Sequence, residues 1–216
     1  MATFTALIAA SADDAEEVGG TSVIDGLTIS SDSATDFGGA RFLLVAIPKG
    51  STIQSAFLTV EPSSNAEDEP NHTFYCEAAD DAATFTTDAS NISGRSRTTR
   101  SVLWDSADLG ASGTSRHNTP DLSGIVGEVI SRAGWVSGNA LAFIWHGSAD
   151  AARDLTIKSF DTGASDGPEL TVVFTPPGIG GKGRKFRRPL RKTKVWTNPL
   201  IDAPRRRFMG KKGVVR

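Results

Sequence analysis

The chain alternates short apolar or β-branched runs with turns that contain glycine and proline. Strand-like runs occur at 3–10, 21–30, 41–47, 52–60, 73–79, 101–104, 140–146, 155–160 and 169–174. Breakers such as Gly38-Gly39, Pro48-Lys49-Gly50 and Asp166-Gly167-Pro168 separate them. Many short strands with frequent turns are typical of a β-sandwich or barrel. We therefore predict an all-β fold, a single jelly-roll or β-sandwich body over residues 1–175.

One short helix is predicted within this body. Five apolar residues follow the helical spacing i, i+3, i+4, i+7 and i+8, namely Leu122, Ile125, Val126, Val129 and Ile130. Thr119 is the predicted N-cap, Pro120 the first helical residue and Gly134 the stop. We expect this helix to pack over an end or an edge of the sandwich.

The sequence contains few groups that an active site would need. The histidines, His72, His117 and His146, are far apart and form no spaced ligand pair, so structural or surface roles are expected. Cys76 is the single cysteine, which excludes an internal disulfide, and its strand-like surroundings predict a small buried side chain. Neither a nucleophile elbow nor a phosphate-binding loop is present. We predict that the protein is not an enzyme.

Charged and aromatic residues of the body are given structural or solvent-exposed roles. The acidic clusters at 13–17, 67–69, 80–81 and 161–166 are predicted to be solvated loops, with a structural Ca²⁺ as the alternative and otherwise no cofactor. Arg95, Arg97 and Arg100 predict a solvated basic loop. Trp104, Trp135 and Trp145 lie in apolar surroundings and are predicted to be buried in the core.

Charge divides the chain into two parts. Residues 1–175 hold 24 acidic and 9 basic residues, a net −15, whereas residues 176–216 hold 14 basic residues and one acidic residue, a net +13. Residues 176–181 are a Pro/Gly linker, and prolines keep residues 182–216 extended. A basic arm of this kind implies a partner.

Apolar side chains alternate with the charges of the arm, and the partner-binding residues are predicted to be Arg184, Lys185, Phe186, Arg187, Arg188, Arg191, Lys192, Lys194, Trp196, Leu200, Arg205, Arg206, Arg207 and Phe208. Nucleic acid would be bound by Lys and Arg among small flexible residues. Buried aromatic and arginine anchors instead favour a peptide laid across a protein surface. Other subunits are the favoured partners, nucleic acid is the alternative, and a head-to-tail assembly of multiple copies is expected.

Three segments of the body resemble DNRLRE-type jelly-roll domains over roughly residues 20–175. They are Arg41-Phe42-Leu43-Leu44 running through Ile47-Pro48-Lys49-Gly50-Ser51-Thr52-Ile53 to Val60, Gly134-Trp135 with Gly138-Asn139-Ala140-Leu141-Ala142-Phe143, and Pro168-Glu169-Leu170-Thr171-Val172-Val173-Phe174. The string that names the family is absent, so no ligand residue is carried over. The resemblance implies a carbohydrate-binding appendage or a structural protein of a tailed bacteriophage.

The basic arm and the lack of a signal peptide favour the second of these roles. The N-terminal apolar stretch lacks a basic region and is too short for a signal peptide, and no apolar run approaches the roughly 18 residues of a membrane helix. We therefore expect a soluble virion protein, made in the host cytoplasm, whose arm anchors it to capsid or tail subunits without a membrane. A capsid decoration (cement) protein is the first expectation, a neck, tail or fibre-attachment protein the second, and a carbohydrate-binding module the rival from another class.

Overall fold

The computed structural model describes residues 1–63, 70–106, 109, 115–148 and 153–178. The chain divides into two units, Met1–Gly180 and Gly181–Arg216, and the second unit lies outside the described residues. The strands are β1 (Ala2–Leu7), β2 (Asp14–Val18), β3 (Thr21–Val23), β4 (Thr28–Ser30), β5 (Phe37–Phe42), β6 (Thr52–Val60), β7 (Asn71–Cys76), β8 (Val102–Asp105), β9 (His117–Asn118), β10 (Leu141–His146), β11 (Thr156–Lys158) and β12 (Glu169–Thr175). The described part also contains one α-helix, α1 (Ser123–Ile130), and a 3₁₀ turn at Ser11–Asp13.

The strands form three antiparallel sheets. The four-stranded sheet has the order β1-β12-β6-β9, the six-stranded sheet has the order β3-β2-β5-β10-β7-β8, and β11 pairs with β4. Alternate residues of β12 and the second half of β6 are buried, as expected for strands with one face on a core. The predicted all-β class with one short helix is confirmed, and the architecture agrees with a sandwich.

The main apolar cluster contains residues of both large sheets and of α1. Leu58 and Val172 come from the four-stranded sheet, and Phe74 and Trp145 from the six-stranded sheet. The rings of Phe74 and Trp145 stack with centroids 5.3 Å apart and an interplanar angle of 18°. Burial of such large rings is a major source of folding free energy in a domain of this size.

The strand predicted at 41–47 begins and ends earlier in the structure. The strand β5 is Phe37–Phe42, and Leu44 has a φ of 52°, which takes the chain out of extended conformation. Gly38 and Gly39, predicted as breakers, instead lie inside β5. Both positions need glycine because aromatic rings occupy the space that a larger side chain would fill. A Cβ at Gly38 would lie 2.2 Å from Cε2 of Trp145, and one at Gly39 would lie 2.6 Å from Cζ of Phe85.

Two other strand predictions need correction. The run at 21–30 is not one strand but two, β3 and β4, which belong to different sheets. The strand β2 was not predicted, because its sequence Asp-Ala-Glu-Glu-Val has an acidic composition typical of a loop. By contrast, β6 has the predicted bounds, Thr52–Val60, and β12 exceeds its prediction by one residue at the C-terminal end.

The helix forms on the predicted apolar stripe but begins later than predicted. All five stripe residues are buried. The side chain of Thr119 is not an N-cap, because its Oγ1 accepts a hydrogen bond from the backbone N–H of Leu58 at 3.1 Å. Asp121 accepts hydrogen bonds from the backbone N–H and the hydroxyl of Ser123, both at 2.9 Å, and so satisfies a free donor of the first turn.

Candidate functional site

The predicted partner-binding arm lies outside the described residues. This applies to Arg184, Lys185, Phe186, Arg187, Arg188, Arg191, Lys192, Lys194, Trp196, Leu200, Arg205, Arg206, Arg207 and Phe208. The assignment of these residues to a partner therefore stays a prediction. The described body contains three candidate sites: a groove beside α1, an aromatic patch on the six-stranded sheet and a set of buried acids at 13–17.

A groove of about 530 Å³ lies along the exposed side of α1. Its described lining is Ile53, Thr99, Arg100, Ser123, Gly124, Gly127, Glu128 and Ser131. The carboxylate of Glu128 accepts hydrogen bonds from the backbone N–H of Thr99 at 2.7 Å, from its hydroxyl at 3.1 Å and from the backbone N–H of Arg100 at 3.2 Å. Burial alone would raise the pKa of the Glu128 carboxyl, but these hydrogen bonds and the Arg100 charge together lower it.

The described lining of the groove offers few groups that could take part in catalysis. Glu128 is held ionised and is already used to attach the 99–100 segment to the helix, so it is a poor general base. The described lining contains neither a histidine nor a thiol. The small side chains of α1 explain the groove as space left beside the helix.

Aromatic and cationic side chains meet on the outer face of the six-stranded sheet. Phe37 on β5, His146 on β10 and Tyr75 on β7 form this aromatic patch, with ring centroids 5.5 Å apart for Phe37 and His146 and 6.0 Å apart for Tyr75 and His146. All three rings are partly exposed. The guanidinium carbon of Arg97 lies 5.5 Å from the Phe37 centroid and 5.2 Å from the Tyr75 centroid.

Sequence reasoning missed the aromatic patch because its residues are far apart along the chain and each belongs to a different strand. The strand register provides the reason for their meeting, since His146 stands opposite Phe37 and side chains two residues apart share a face. Arg97 covers faces of two rings, so a ligand that stacks there would have to displace a cation–π contact. The patch is the one described surface that fits the sugar-binding alternative.

The acidic cluster at 13–17 is not a solvated loop, so that prediction was wrong. Asp13, Asp14 and Glu17 are each at most 3% exposed. Arg41 donates to Asp13 at 2.5 Å, while Glu17 accepts from the backbone N–H groups of Ile92 and Ser93 at 2.8 and 2.9 Å. Asp13 and Glu17 therefore hold neighbouring segments in place.

Asp14 is the most perturbed acid of this cluster. Its Oδ2 accepts a hydrogen bond from the backbone N–H of Phe160 at 2.7 Å. Burial, with smaller contributions from the charges of Asp161 and Asp13, raises the pKa of Asp14 to about 7. Perturbed carboxyls often mark functional sites, but structural networks perturb pKa values too. In the described residues, no group of three or more His, Cys, Asp or Glu side chains is placed to hold a metal ion.

The basic loop is also more integrated than predicted. The Arg95 side chain is 9% exposed and pairs with Glu77 at 2.8 Å. It donates to the carbonyls of Asn91, Ala83 and Thr84, each at 2.8 Å. Arg95 therefore fixes the loop from inside, whereas Arg97 and Arg100 are exposed as predicted.

The predictions for the three tryptophans, Cys76 and His72 are confirmed. Trp104, Trp135 and Trp145 are at most 4% exposed, which makes them core residues. Cys76 is fully buried, and burial raises the pKa of its thiol well above the usual range. His72 is buried with Nε2 2.5 Å from the carbonyl oxygen of Ser31, and burial lowers its pKa, so it has a structural role.

Comparison with known proteins adds no family. No family model matches the sequence, and no curated protein matches it. The resemblance to DNRLRE-type domains therefore stays a prediction. The described residues contain no helix with the length and hydropathy needed to cross a membrane.

Proposed function

We propose that this protein is a structural component of a bacteriophage particle, a capsid decoration protein whose basic C-terminal arm anchors the β-sandwich body to neighbouring subunits. The observation that carries the proposal is the division of charge, −15 in residues 1–175 and +13 in residues 176–216. Opposite charges on two parts of one chain favour association between copies. The phage assignment rests on the sequence resemblance.

The described body supports a structural role in a second way. Several of its perturbed or buried ionisable groups join neighbouring segments, as Asp13 does with Arg41 and Glu128 with Thr99. The groove beside α1 lacks paired acid–base groups in the part described. A body of this kind serves as a rigid unit for display, and the arm supplies the attachment.

The arm is expected to bind by two kinds of contact. Arginine and lysine side chains pair with carboxylates of the neighbouring subunit, and Trp196, Leu200 and Phe208 enter apolar pockets, where buried aromatic anchors contribute most binding energy. Contact with the packaged genome is the alternative use of the same charges.

Assembly of particles with altered arms tests the proposal. Deletion of residues 177–216 should give a folded body that no longer co-sediments with purified particles. A matched variant with Trp196→Ala, Leu200→Ala and Phe208→Ala keeps the full charge of the arm and should also lose most of its incorporation. Retained incorporation of the deletion variant would refute the anchoring role, and retained incorporation of the triple variant alone would indicate attachment by charge.

A carbohydrate-binding module is the second candidate, because the aromatic patch exposes three rings on one sheet face. Binding to a glycan array that is lost in Tyr75→Ala would support this function. We expect no specific glycan, since Arg97 lies over two of the rings.

A further inference from the structure

The strand β1 is the longest free edge among the described sheets. It has six residues and, in the described chain, pairs on one side only, with β12. The other edge strands are shorter: β9 has two residues, β3, β4 and β11 have three each, and β8 has four. The end of β8 is also covered, because Arg153 donates to Asp105 at 2.6 Å and to the carbonyl of Ser106 at 2.8 Å.

The β1 edge lacks the features that usually prevent strand pairing between molecules. Natural edge strands are protected by charges, prolines or bulges. Residues 1–12 contain no charged side chain and no proline, and Asp13 is the first charged residue of the chain. The pairing of β1 with β12 runs without a register shift from Ala2–Phe174 to Leu7–Glu169. A neutral, regular edge in a strongly acidic body marks a place where two copies can approach without charge repulsion.

The direction of the free hydrogen-bonding groups follows from the register. The N–H of Ile8 donates to the carbonyl of Pro168 at 3.3 Å, one position beyond the Leu7–Glu169 pair. In an antiparallel ladder, successive residues point their N–H and C=O groups alternately to the two sides. Ala2, Phe4 and Ala6 therefore point these groups toward β12. Thr3, Thr5 and Leu7 point theirs toward the free edge.

The side chains of β1 are only partly covered by the rest of the described body. Thr3, Thr5 and Leu7 are exposed on the outer face, with Leu7 40% exposed. Phe4 packs against the main core but is only partly buried, because β1 is an edge strand of the sheet. A further strand beside β1 would cover the remaining side of this ring.

We propose that β1 pairs antiparallel with β1 of a second copy of this chain, with the two-fold axis at Thr5. This register sets Thr5 opposite Thr5 and Thr3 opposite Leu7, so every free edge group meets a partner. It also places Ala6 of the second copy opposite Phe4, on the core side. The two four-stranded sheets become one sheet of eight strands. A second copy fits this edge because its strand matches in length, neutrality and alternation, and two-fold dimers are the commonest oligomers.

The expected dimer is weak. Six residues a side is well below the roughly 20–30 residues a side of a standard interface. Dimerisation should therefore rise with protein concentration and gain most where many copies are held together. This property does not depend on the proposed phage function.

Cysteine cross-linking in the full chain tests the register. In Thr5→Cys the new thiols would lie at the two-fold axis, where opposite Cα atoms of a hydrogen-bonded pair are about 5.5 Å apart, within disulfide range. The native Cys76 is buried and does not compete. We expect a disulfide-linked dimer on a non-reducing gel after mild oxidation.

Thr171→Cys is the matched control. Its hydroxyl lies 3.5 Å from that of Thr5 on the same face, but it belongs to β12, one strand further from the axis. Two such thiols would be separated by three strand spacings, about 14 Å. This variant should stay monomeric on the same gel. Equal cross-linking of the two variants would overturn the proposal.

Thr5→Lys tests the edge without cross-linking. Its side chain is exposed, so the melting temperature should not change, while two lysines at the axis repel each other. In sedimentation at rising concentration, the wild-type chain should form a dimer and Thr5→Lys should remain monomeric. A wild-type chain that stays monomeric, or a dimer that persists in Thr5→Lys, would overturn the proposal.

Discussion

At the scale of single residues, three buried carboxyls at 13–17 hold neighbouring segments of the body together. Asp13 ends the 3₁₀ turn, Asp14 and Glu17 lie on β2, and all three are almost fully buried. Each has backbone or arginine donors within hydrogen-bonding distance. A buried carboxylate is tolerated only with such donors. The donor of Asp14 is the neutral backbone N–H of Phe160, whereas the donor of Asp13 is the Arg41 guanidinium.

Stability should therefore depend on the protonation of Asp14. The pKa of Asp14 is about 7 in the folded state and 3.8 ordinarily. At pH values between these two, the folded state still holds a proton that the unfolded state has already lost. The stabilising contribution is complete below about pH 4 and is lost as the pH rises through about 7. At about 1.4 kcal/mol per pH unit, the loss is on the order of 4 kcal/mol.

Asp14→Asn should remove this pH dependence. The amide keeps an oxygen for the Phe160 N–H and carries no charge. Urea unfolding at about pH 4 and about pH 8 should show the variant gaining stability relative to wild type as the pH rises. Asp25→Asn at an exposed position is the control and should follow the wild type. An unchanged wild-type slope in Asp14→Asn would contradict the assignment.

At the scale of elements, glycines have opposite roles in β5 and in α1. A Cβ at Gly38 would overlap the indole of Trp145, whereas a Cβ at Gly124 would meet only the Arg100 side chain, at 3.7 Å. Gly38→Ala should therefore destabilise the protein by about 1–3 kcal/mol through overpacking. Gly124→Ala should stabilise it by about 0.5–1 kcal/mol through helix propensity.

Thermal and urea unfolding of the two alanine variants measure this contrast. The same substitution at Gly178, where no atom lies within 4 Å, is the control and should change stability little. Equal destabilisation of Gly38→Ala and Gly124→Ala would show that the ring of Trp145 does not constrain β5.

At the scale of the whole molecule, the opposite charges of body and arm predict salt-dependent association. A peptide of residues 177–216 should bind the truncated body, residues 1–176, at low ionic strength. Because the Debye length falls from about 10 Å at 0.1 M salt to about 3 Å at 1 M, calorimetry should show much weaker binding at high salt. A control peptide with every Lys and Arg replaced by Gln should bind more weakly at low ionic strength, and its binding should not change with salt. Binding that is independent of salt would contradict electrostatic attraction between the two parts.

Local patterns were enough for much of the fold. The alternation of residues 52–60 and 169–174 predicted β6 and β12, and the apolar stripe at 122–130 predicted α1. The tryptophans were predicted as core residues because their neighbours in the sequence are apolar. These features depend on residues a few positions apart, where periodicity directly reflects the geometry of a strand or a helix.

Contacts between distant segments decided the rest. Glu17 became a buried strand residue because the N–H groups of Ile92 and Ser93 reach it, and Gly38 lies in a strand because Trp145 lies against it. The aromatic patch and the free edge of β1 likewise exist only through strand register and sheet order. The sequence by itself determined the all-β class, the helix stripe and the division of charge. Only the tertiary structure decided which charges are buried and which edge stays open, because both depend on partners that chain folding brings from far along the sequence.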